Sequence, residues 1–265
     1  MESSTLSITG AAGMYQKSFD HILEDYAFFE RHATEMENGL RAARAHVANI
    51  RTSERPFRLL DFGAGAGSFT RAFLWETDLH RRMKLDLTLV EPGAMAREQA
   101  FDRLRTFTGR PISILEELPD GMTTRFDLII SNHAIYYVPD LNQTINRLLH
   151  HCSAVGKALI SAAGSENFLV RLWDYGFDLI DGTPPFYRAE DLEVVLEKNG
   201  LNYSCERVFY ELNFPDSTEN RMKILRFLFG DYLSAFPIYR LLDFFDTYLV
   251  KGEIRIKTSY YLYVF

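Results

Sequence analysis

The chain alternates short apolar runs with segments whose apolar residues recur every three or four positions. Five apolar runs predict strands, and these are Phe57–Phe62, Leu85–Val90, Ile112–Leu115, Phe126–Ser131 and Lys157–Ala162. Helical periodicity fills the intervals, at Ser68–Leu74, Ala94–Arg105, Leu141–Cys152 and Phe168–Phe177. Strands separated by helices in this order predict an α/β fold with a mainly parallel sheet and right-handed crossovers.

Segments with other patterns flank this alternating region. Tyr15–Val47 is amphipathic, and a second helix is predicted over His32–Ile50. After the fifth run, the pattern predicts a helix over Glu190–Lys198, a strand over Leu201–Leu212, an aromatic helical insertion at 216–250 and a closing strand over Glu253–Phe265. Without a repeat or an obvious linker, we expect residues 53–265 to form one compact domain, preceded by a helical segment at 1–52.

Composition narrows the range of functions. Of 265 residues, 47% are hydrophobic and 25% charged, and the formal net charge is −7. An acidic protein without a basic patch repels phosphate backbones, so we expect no nucleic-acid partner. No apolar stretch reaches the ~18 residues of a membrane span, and the first residues do not read as a secretion signal. Cys152 and Cys205 lack metal-ligand spacing, and we expect reduced thiols. We expect a cytoplasmic monomer without a bound metal.

The most informative motif is the glycine cluster that follows the first strand. Asp61 ends the strand, and Gly63, Gly65 and Gly67 alternate with small residues such as Ala64 before the next helix. Such glycines permit unusual backbone angles and a close approach of a ligand to the main chain, which predicts a nucleotide-like cofactor. The spacing differs from the G-x-G-x-x-G of dinucleotide sites. It therefore favours S-adenosylmethionine over NAD, and a tight turn without a ligand is the plain alternative.

Polar residues end the next strands at the same edge of the predicted sheet. Glu91 ends the second strand and is placed to accept the two ribose hydroxyls, or it is simply an acid at a helix N-terminus. Glu116, after the third strand, is predicted to flank the adenine, with a surface acid as the alternative. Asn132 follows the fourth strand and is predicted to hold the methionine end or to orient an acceptor. His133 is a candidate general base or substrate hydrogen-bond partner, or a half-exposed histidine.

These motifs resemble the class I S-adenosylmethionine-dependent methyltransferases. A closer similarity to the histamine N-methyltransferase family runs through LLDFGAGAGSFTRAFL, VEPGAMA, FDLIISNHAIYYVPDLNQT and LWDYGFDL, in matching order and spacing. The resemblance implies a Rossmann-like sheet with its last strand antiparallel, an N-terminal helical cap over the cofactor and a C-terminal helical insertion.

The resemblance also implies an aromatic acceptor pocket. Its lining residues are Tyr15, Phe19, Tyr136, Tyr137 and Trp173, although these rings also suit plain packing of the cap on the sheet. The positions at which that family recognises histamine are occupied here by Phe28, His133 and Lys257. Phe28 stands in place of an acid, and Lys257 adds a positive charge. Both changes disfavour histamine, and the lysine favours a carboxylated acceptor.

The predicted function is therefore methyl transfer from S-adenosylmethionine to a small molecule, at the nitrogen of an amine or imidazole-type acceptor other than histamine. Two alternatives remain open, namely O-methylation of a phenol or carboxylate and a non-catalytic protein that binds S-adenosylmethionine. A dehydrogenase requires that the glycine loop bind NAD.

Overall fold

The computed structural model describes residues 22–48, 50 and 55–265. Tyr15 and Phe19, predicted to line the acceptor pocket, lie outside the described residues. The predicted boundary between residues 52 and 53 lies outside them as well, and the division into cap and main domain stays a prediction. In the described part of the chain, no helix has the length and apolarity needed to cross a bilayer.

One sheet organises the described residues. Its strands are β1 (Phe57–Phe62), β2 (Leu85–Val90), β3 (Ser113–Leu115), β4 (Phe126–Asn132), β5 (Cys152–Ala162), β6 (Ser204–Pro215), β7 (Leu249–Val250) and β8 (Glu253–Val264). Their order is β3-β2-β1-β4-β5-β8-β6, and β7 pairs with β8. The first five strands run parallel, and β8 lies antiparallel between β5 and β6. The mainly parallel sheet with an antiparallel last strand is thus confirmed.

Helices cover the sheet and extend the chain at both ends. They are α1 (Leu23–His32), α2 (Glu35–Val47), α3 (Ser68–Thr77), α4 (Leu79–Arg82), α5 (Ala94–Leu104), α6 (Leu141–His151), α7 (Phe168–Asp178), α8 (Ala189–Lys198), α9 (Thr218–Phe229) and α10 (Ile238–Asp243). The helical insertion comprises α9, α10 and two short 3-10 segments, Gly230–Ala235 and Phe244–Tyr248. Its aromatic side chains pack largely inward, and Phe229 and Phe245 are fully buried.

The central strands are buried on both faces, as the apolar runs predict. Leu59 and Leu60 are consecutive residues of β1 and therefore point to opposite faces, yet neither is exposed. The same holds for Leu128 and Ile129 of β4. Helices on both faces exclude water from this part of the sheet, as is usual for parallel sheets. The packed core therefore fixes the positions of the carboxyl ends of β1 to β5, which form one edge of the sheet.

The second helix begins later than the sequence predicts. The pattern suggested a continuous helix from His32, but the chain leaves α1 at Ala33 and enters α2 at Glu35. At this break Ala33 forms a β-bridge with Leu212, and the Thr34 amide donates to the carbonyl of Glu211 at 2.9 Å. The Glu211 amide donates in turn to the Thr34 hydroxyl at 2.9 Å. Pairing with the end of β6 thus interrupts the helical pattern and fixes where α2 starts.

Both N-terminal helices are anchored to the rest of the fold. The Phe29 ring of α1 stacks on Phe227 of α9, and Asp25 accepts two hydrogen bonds from the Arg226 guanidinium, both at 2.9 Å. Helix α2 approaches β8 closely at Gly39, where an added Cβ would lie 2.4 Å from the Tyr260 hydroxyl oxygen. These contacts hold α1 and the start of α2 above the carboxyl edge of the sheet.

Candidate active site

The glycine loop between β1 and α3 adopts the backbone angles that its composition suggests. Gly63, Gly65 and Gly67 have φ values of 76°, 52° and 76°, in the left-handed region that favours glycine. A Cβ on Gly63 would lie 2.2 Å from Cβ of Ala134, so the loop after β4 packs directly against it. A Cβ on Gly65 would meet nothing within 4 Å. Gly65 therefore leaves open space over the main chain, where a ligand can approach.

Glu91 ties this loop to the end of β2. Its Oε2 accepts the Gly65 amide proton at 2.9 Å, and its Oε1 accepts that of Gly93 at 2.8 Å. The carboxylate is 9% exposed and lines the cavity described below. A carboxylate oxygen can accept more than one hydrogen bond, so a residue of this type can also bind ligand hydroxyls.

Asp61 lies beneath the loop and lines the same cavity. Its Oδ2 accepts the Thr70 hydroxyl proton at 2.5 Å. Burial raises the pKa of Asp61 to about 7, and the nearby Glu91 carboxylate adds to this rise, while the Thr70 hydrogen bond opposes it. A cationic ligand group at this position would restore the charged form, because an opposite charge favours ionisation.

One partly open cavity of about 390 Å³ joins the cofactor-type residues to the loop after β4. It brings together most of the predicted site residues that the structure describes, namely Asp61, Gly63, Ala64, Gly65, Glu91, Glu116, Asn132, His133, Tyr136, Tyr137 and Trp173. Gly67 stands just behind it as the N-cap of α3, packed against Ala100. Glu116 is at the rim, with 74% of its side chain exposed and 3.9 Å from the Arg97 guanidinium. The carboxyl ends of four parallel strands thus share one cavity.

His133 enters the cavity from a left-handed backbone position, with φ of 54°. Its Nδ1 lies 2.7 Å from the Tyr136 hydroxyl, and its Nε2 lies 3.5 Å from Oε1 of Glu35. Burial lowers the pKa of His133 to about 3. The imidazole is therefore neutral near pH 7, and it is a weak proton acceptor there.

Glu35 is one of the site residues that the sequence did not reveal. It is the first residue of α2 and lines the cavity, and its position follows from the pairing of Thr34 with β6. The Tyr210 hydroxyl forms a hydrogen bond with the Glu35 carboxyl, and Asn167 Nδ2 donates to the same hydroxyl at 3.2 Å. Burial raises the pKa of Glu35 to about 8, and the neighbouring Glu30 adds to the rise while Tyr210 opposes it. This carboxyl therefore holds its proton at neutral pH.

Two features of Tyr210 and Asn167 could have drawn attention to this cluster. Buried and more exposed residues alternate along Val208–Phe214 in β6, which places Tyr210 on the inner face. Asn167 is the N-cap of α7, and its side chain accepts the Leu169 amide proton. Such capping asparagines are recognisable before an apolar helical run.

Aromatic rings form the walls of the cavity beside Glu35. Tyr26 of α1, Phe227 of α9 and Trp173 of α7 contribute rings from three different helices, and Tyr137 adds one from the loop after β4. The Tyr26 and Phe227 ring centroids are 5.4 Å apart. Trp173 is fixed by a hydrogen bond from its Nε1 to the Leu228 carbonyl at 3.2 Å. We call this end of the cavity, bounded by these four rings with Glu35 and His133, the aromatic chamber.

Two predicted acceptor residues lie elsewhere. Phe28 is not among the described residues that line the cavity, because its ring is buried against His32 and Phe214 on another side of α1. The Lys257 side chain is 86% exposed and lies 3.4 Å from Glu211, on the outer face of β8. The cavity does contain an acid from the N-terminal helices, which is Glu35 of α2. The lysine that would favour a carboxylated acceptor is absent from its described lining.

The residues present fit S-adenosylmethionine. Gly65 leaves room for a ligand over the main chain, Glu91 offers hydroxyl-binding oxygens, and Asp61 offers a carboxyl whose charge a cation would restore. No phosphate cradle is required, because this cofactor has none, and the acidic lining disfavours a pyrophosphate. The cofactor would be held by the glycine loop, Asp61 and Glu91.

Comparison with known proteins agrees with this geometry. The family model described as a methyltransferase domain matches residues 31–206 of the 265. The biotin biosynthesis bifunctional protein BioCD of Bordetella avium is 29% identical over 153 residues, which is 57% of this chain and 30% of that protein. The chain thus matches less than a third of that relative's length.

Solved structures show the same fold. YcgJ from Bacillus subtilis has a TM-score of 0.57 at 16% identity, over 86% of this chain and 97% of that one. A S-adenosylmethionine-dependent methyltransferase from Thermotoga maritima, described as a possible histamine N-methyltransferase, has a TM-score of 0.50 at 14% identity, over 93% of this chain and 96% of that one. At these identities the likeness concerns the Rossmann-like fold of class I methyltransferases. Because the family model covers more than half of its length, the chain belongs to the methyltransferase-domain family.

Proposed function

We propose that this enzyme methylates the nitrogen of a small amine or imidazole-type molecule bound in the aromatic chamber. The observation that carries the proposal is the position of Glu35, a carboxyl with 18% of its side chain exposed, among aromatic rings in the cavity that also contains the glycine loop. A carboxylate attracts a basic nitrogen, and aromatic faces attract cations. An acceptor in the chamber would share the cavity with a cofactor held by the loop.

The charges that line the cavity support a basic acceptor over an acidic one. Its acids include Glu35, Asp61, Glu91, Glu116 and Glu117. Among the described lining residues, Arg147 is the one lysine or arginine, and its guanidinium is held by Asp120 at 2.9 Å and by the Leu118 carbonyl. A carboxylated acceptor would therefore find no cation in the described wall of the chamber. The prediction of such an acceptor rested on Lys257, which lies on the outer face of β8.

The chamber also suits the removal of a proton from the acceptor. A nucleophilic nitrogen needs its lone pair, and a small amine arrives mostly protonated near pH 7. Burial disfavours an ammonium beside a carboxylate, because both groups are charged. It therefore favours the other arrangement, in which the amine is neutral and Glu35 carries the proton. Glu35, when ionised, is thus suited to take the acceptor's proton. His133 is not, because its pKa is too low.

The remaining contribution of the protein is alignment. When bound, S-adenosylmethionine supplies a methyl group already activated by its sulfonium. Holding the acceptor in line with it and excluding water can lower the barrier by up to ~7–11 kcal/mol. Rings from three helices and a loop close the chamber around the acceptor, so the fold supplies this alignment.

The test is a product analysis with a panel of acceptors. Purified enzyme is incubated with S-adenosylmethionine and with amines (histamine among them), imidazoles, phenols and carboxylates. S-adenosylhomocysteine release is measured, and products are identified by mass spectrometry. We expect N-methylated products, and exclusive O-methylation would overturn the proposal.

A matched pair of variants links the activity to the chamber. Glu35→Gln removes the ionisable group that can take the acceptor's proton and keeps the shape, and we expect kcat/KM for amines to fall about 100-fold while the affinity for S-adenosylmethionine is unchanged. Glu37→Gln is the control, because Glu37 lies on the same helix with 71% of its side chain exposed and pairs with Arg41. Equal activity of the two variants would contradict the assigned role of Glu35.

A further inference from the structure

The Glu35 carboxyl is the end point of a hydrogen-bond chain that begins at Asn167. Asn167 is the N-cap of α7, and its Oδ1 accepts the Leu169 amide proton at 2.8 Å. Its Nδ2 donates to the Ser259 carbonyl at 2.8 Å and to the Tyr210 hydroxyl oxygen at 3.2 Å. Both amide protons and the amide oxygen are thus engaged, and together they fix the orientation of this side chain.

This orientation determines the direction of the next hydrogen bond. The Tyr210 oxygen accepts from Asn167, and burial together with the nearby Glu35 carboxyl holds the pKa of the Tyr210 hydroxyl well above its ordinary value. The hydroxyl therefore keeps its proton and donates it to Glu35. Asn167 and Tyr210 are each 2% exposed, so the chain lies largely out of reach of solvent. One Glu35 oxygen is consequently held as a hydrogen-bond acceptor.

Among the described side chains around Glu35, Tyr210 favours the charged form of its carboxyl. The titratable groups that face this carboxyl are Glu30 and Tyr26 of α1, His133 and Tyr136 of the loop after β4, Tyr210 of β6 and Tyr260 of β8. None of these described groups is a cation at neutral pH, because burial lowers the pKa of His133 to about 3. A hydrogen bond donated to a carboxylate stabilises its charge, so Tyr210 opposes the effect of burial.

We propose that Asn167 and Tyr210 are positioning residues, a chain of donors that ends on Glu35 and holds its carboxyl in place to take the acceptor's proton. The inference rests on the proposed function, in which Glu35 takes that proton. The acceptor nitrogen gives its proton to a Glu35 oxygen, and the nitrogen lone pair then forms the bond to the methyl carbon while the carbon–sulfur bond breaks. The carboxyl afterwards loses the proton to solvent.

The chain positions Glu35 but cannot carry the proton away. The amide nitrogen of Asn167 is only a donor, so Tyr210 has no acceptor there to which it could pass a proton. The proton must therefore leave Glu35 on the side of the cavity, where 18% of the glutamate side chain is exposed.

The chain can be tested on the enzyme alone, before any acceptor is added. ¹³C NMR of protein labelled at the glutamate carboxyl carbons follows the titration of Glu35, and Glu35→Gln assigns its signal. We expect Tyr210→Phe to raise the titration midpoint by about one pH unit, because the lost donor stabilises the carboxylate. Tyr239→Phe is the control, since Tyr239 is 65% exposed on α10. An unchanged or lower midpoint for Tyr210→Phe would overturn the proposal.

Asn167→Ser separates the amide donor from the helix cap. Serine is a good N-cap residue for α7, but it lacks the two amide protons. We expect a smaller rise of the Glu35 midpoint, and no further rise when Asn167→Ser is added to Tyr210→Phe, because both changes act through the same donor. Additive rises would show that Asn167 does not act through Tyr210, and would overturn the chain.

Kinetics connect the chain to the reaction. With a saturating amine, we expect kcat of Tyr210→Phe to fall about tenfold, because a displaced base transfers the proton less efficiently. The Kd for S-adenosylmethionine should stay within about twofold, since Tyr210 is apart from the glycine loop. A shifted midpoint with an unchanged kcat would overturn the positioning role and leave N-methylation standing. Turnover of phenols with no turnover of any amine would remove the proposed function and this inference with it.

Discussion

Oε2 of Glu91 accepts the amide proton of Gly65 at 2.9 Å and so joins the end of β2 to the loop after β1. Its second oxygen accepts the Gly93 amide proton, so the carboxylate is fixed both by the loop after β1 and by the turn after β2. A cofactor held by Glu91 would therefore be coupled to the conformation of this loop through one side chain.

Glu91→Gln should weaken binding of S-adenosylmethionine about 10- to 100-fold, because hydrogen bonds to a charged group are the stronger ones. Isothermal titration calorimetry measures the change. Glu98→Gln is the control, since Glu98 is an exposed acid on α5. An unchanged Kd for Glu91→Gln would mean that the ribose-binding role is wrongly assigned.

Gly63→Ala should destabilise the fold by about 1–3 kcal/mol or more. The new methyl would lie 2.2 Å from Cβ of Ala134, and the residue would have to keep a φ of 76°. Urea denaturation gives the free energy of unfolding. Gly121→Ala is the matched control, because its Cβ would meet nothing within 4 Å, and we expect a change within about 0.5 kcal/mol.

The stability of the cofactor-free enzyme should fall as the pH rises from 7 to 8. Burial raises the pKa of Glu35 from 4.5 to about 8, so between these values the folded state binds more protons than the unfolded one, and stability is lost as pH increases. The loss attributable to Glu35 is about 1 kcal/mol over this unit. The pKa of Asp61 is about 7, and the pKa of His133 is lowered from 6.5 to about 3. Both groups therefore change their protonation mainly below pH 7.

Urea denaturation of the wild type and of Glu35→Gln at pH 7 and pH 8 isolates this contribution. The glutamine variant cannot ionise, and its stability should change less between the two pH values. Parallel loss in both proteins would show that another group is responsible.

Asp25→Asn should loosen the docking of α1 on α9. Asp25 is 9% exposed and accepts both hydrogen bonds from Arg226, so the amide would leave part of the guanidinium unpaired, at a cost of about 1–3 kcal/mol. Because α1 carries Tyr26 into the chamber, KM for the acceptor should rise. Hydrogen exchange of α1 and steady-state kinetics report the two effects. Glu24→Gln, at the exposed neighbouring position, should change neither.

The sheet could be predicted closely because its signals are local. The bounds of β1 and β2 agree with the apolar runs, since polar or glycine residues end each run abruptly. The cofactor residues follow from the same runs, because the carboxyl ends of parallel strands meet at one edge. The predicted helix ends were less accurate where a distant strand pairs with the chain, as at Thr34, which pairs with Glu211 of β6.

The chamber could be predicted only in part because it depends on contacts between distant segments. Glu35 enters it through the pairing of Thr34 with Glu211, which lies 177 positions further along the chain. No local pattern around residue 35 contains that information. The rings of Tyr137 and Trp173 were placed correctly in the cavity wall, and their roles towards an acceptor remain predictions.

Lys257→Met should leave kcat/KM for amines and for carboxylated acceptors unchanged within about twofold. A one-residue shift in a strand moves a side chain to the opposite face, and the fully buried Ile256 shows that Lys257 must point outward. Its ammonium contacts Glu211 at 3.4 Å in a solvent-exposed pair, which contributes little to stability. Steady-state kinetics with both acceptor classes check the expectation. A selective loss of activity towards carboxylated acceptors would place Lys257 at the site after all, and would require β8 to shift its register by one residue.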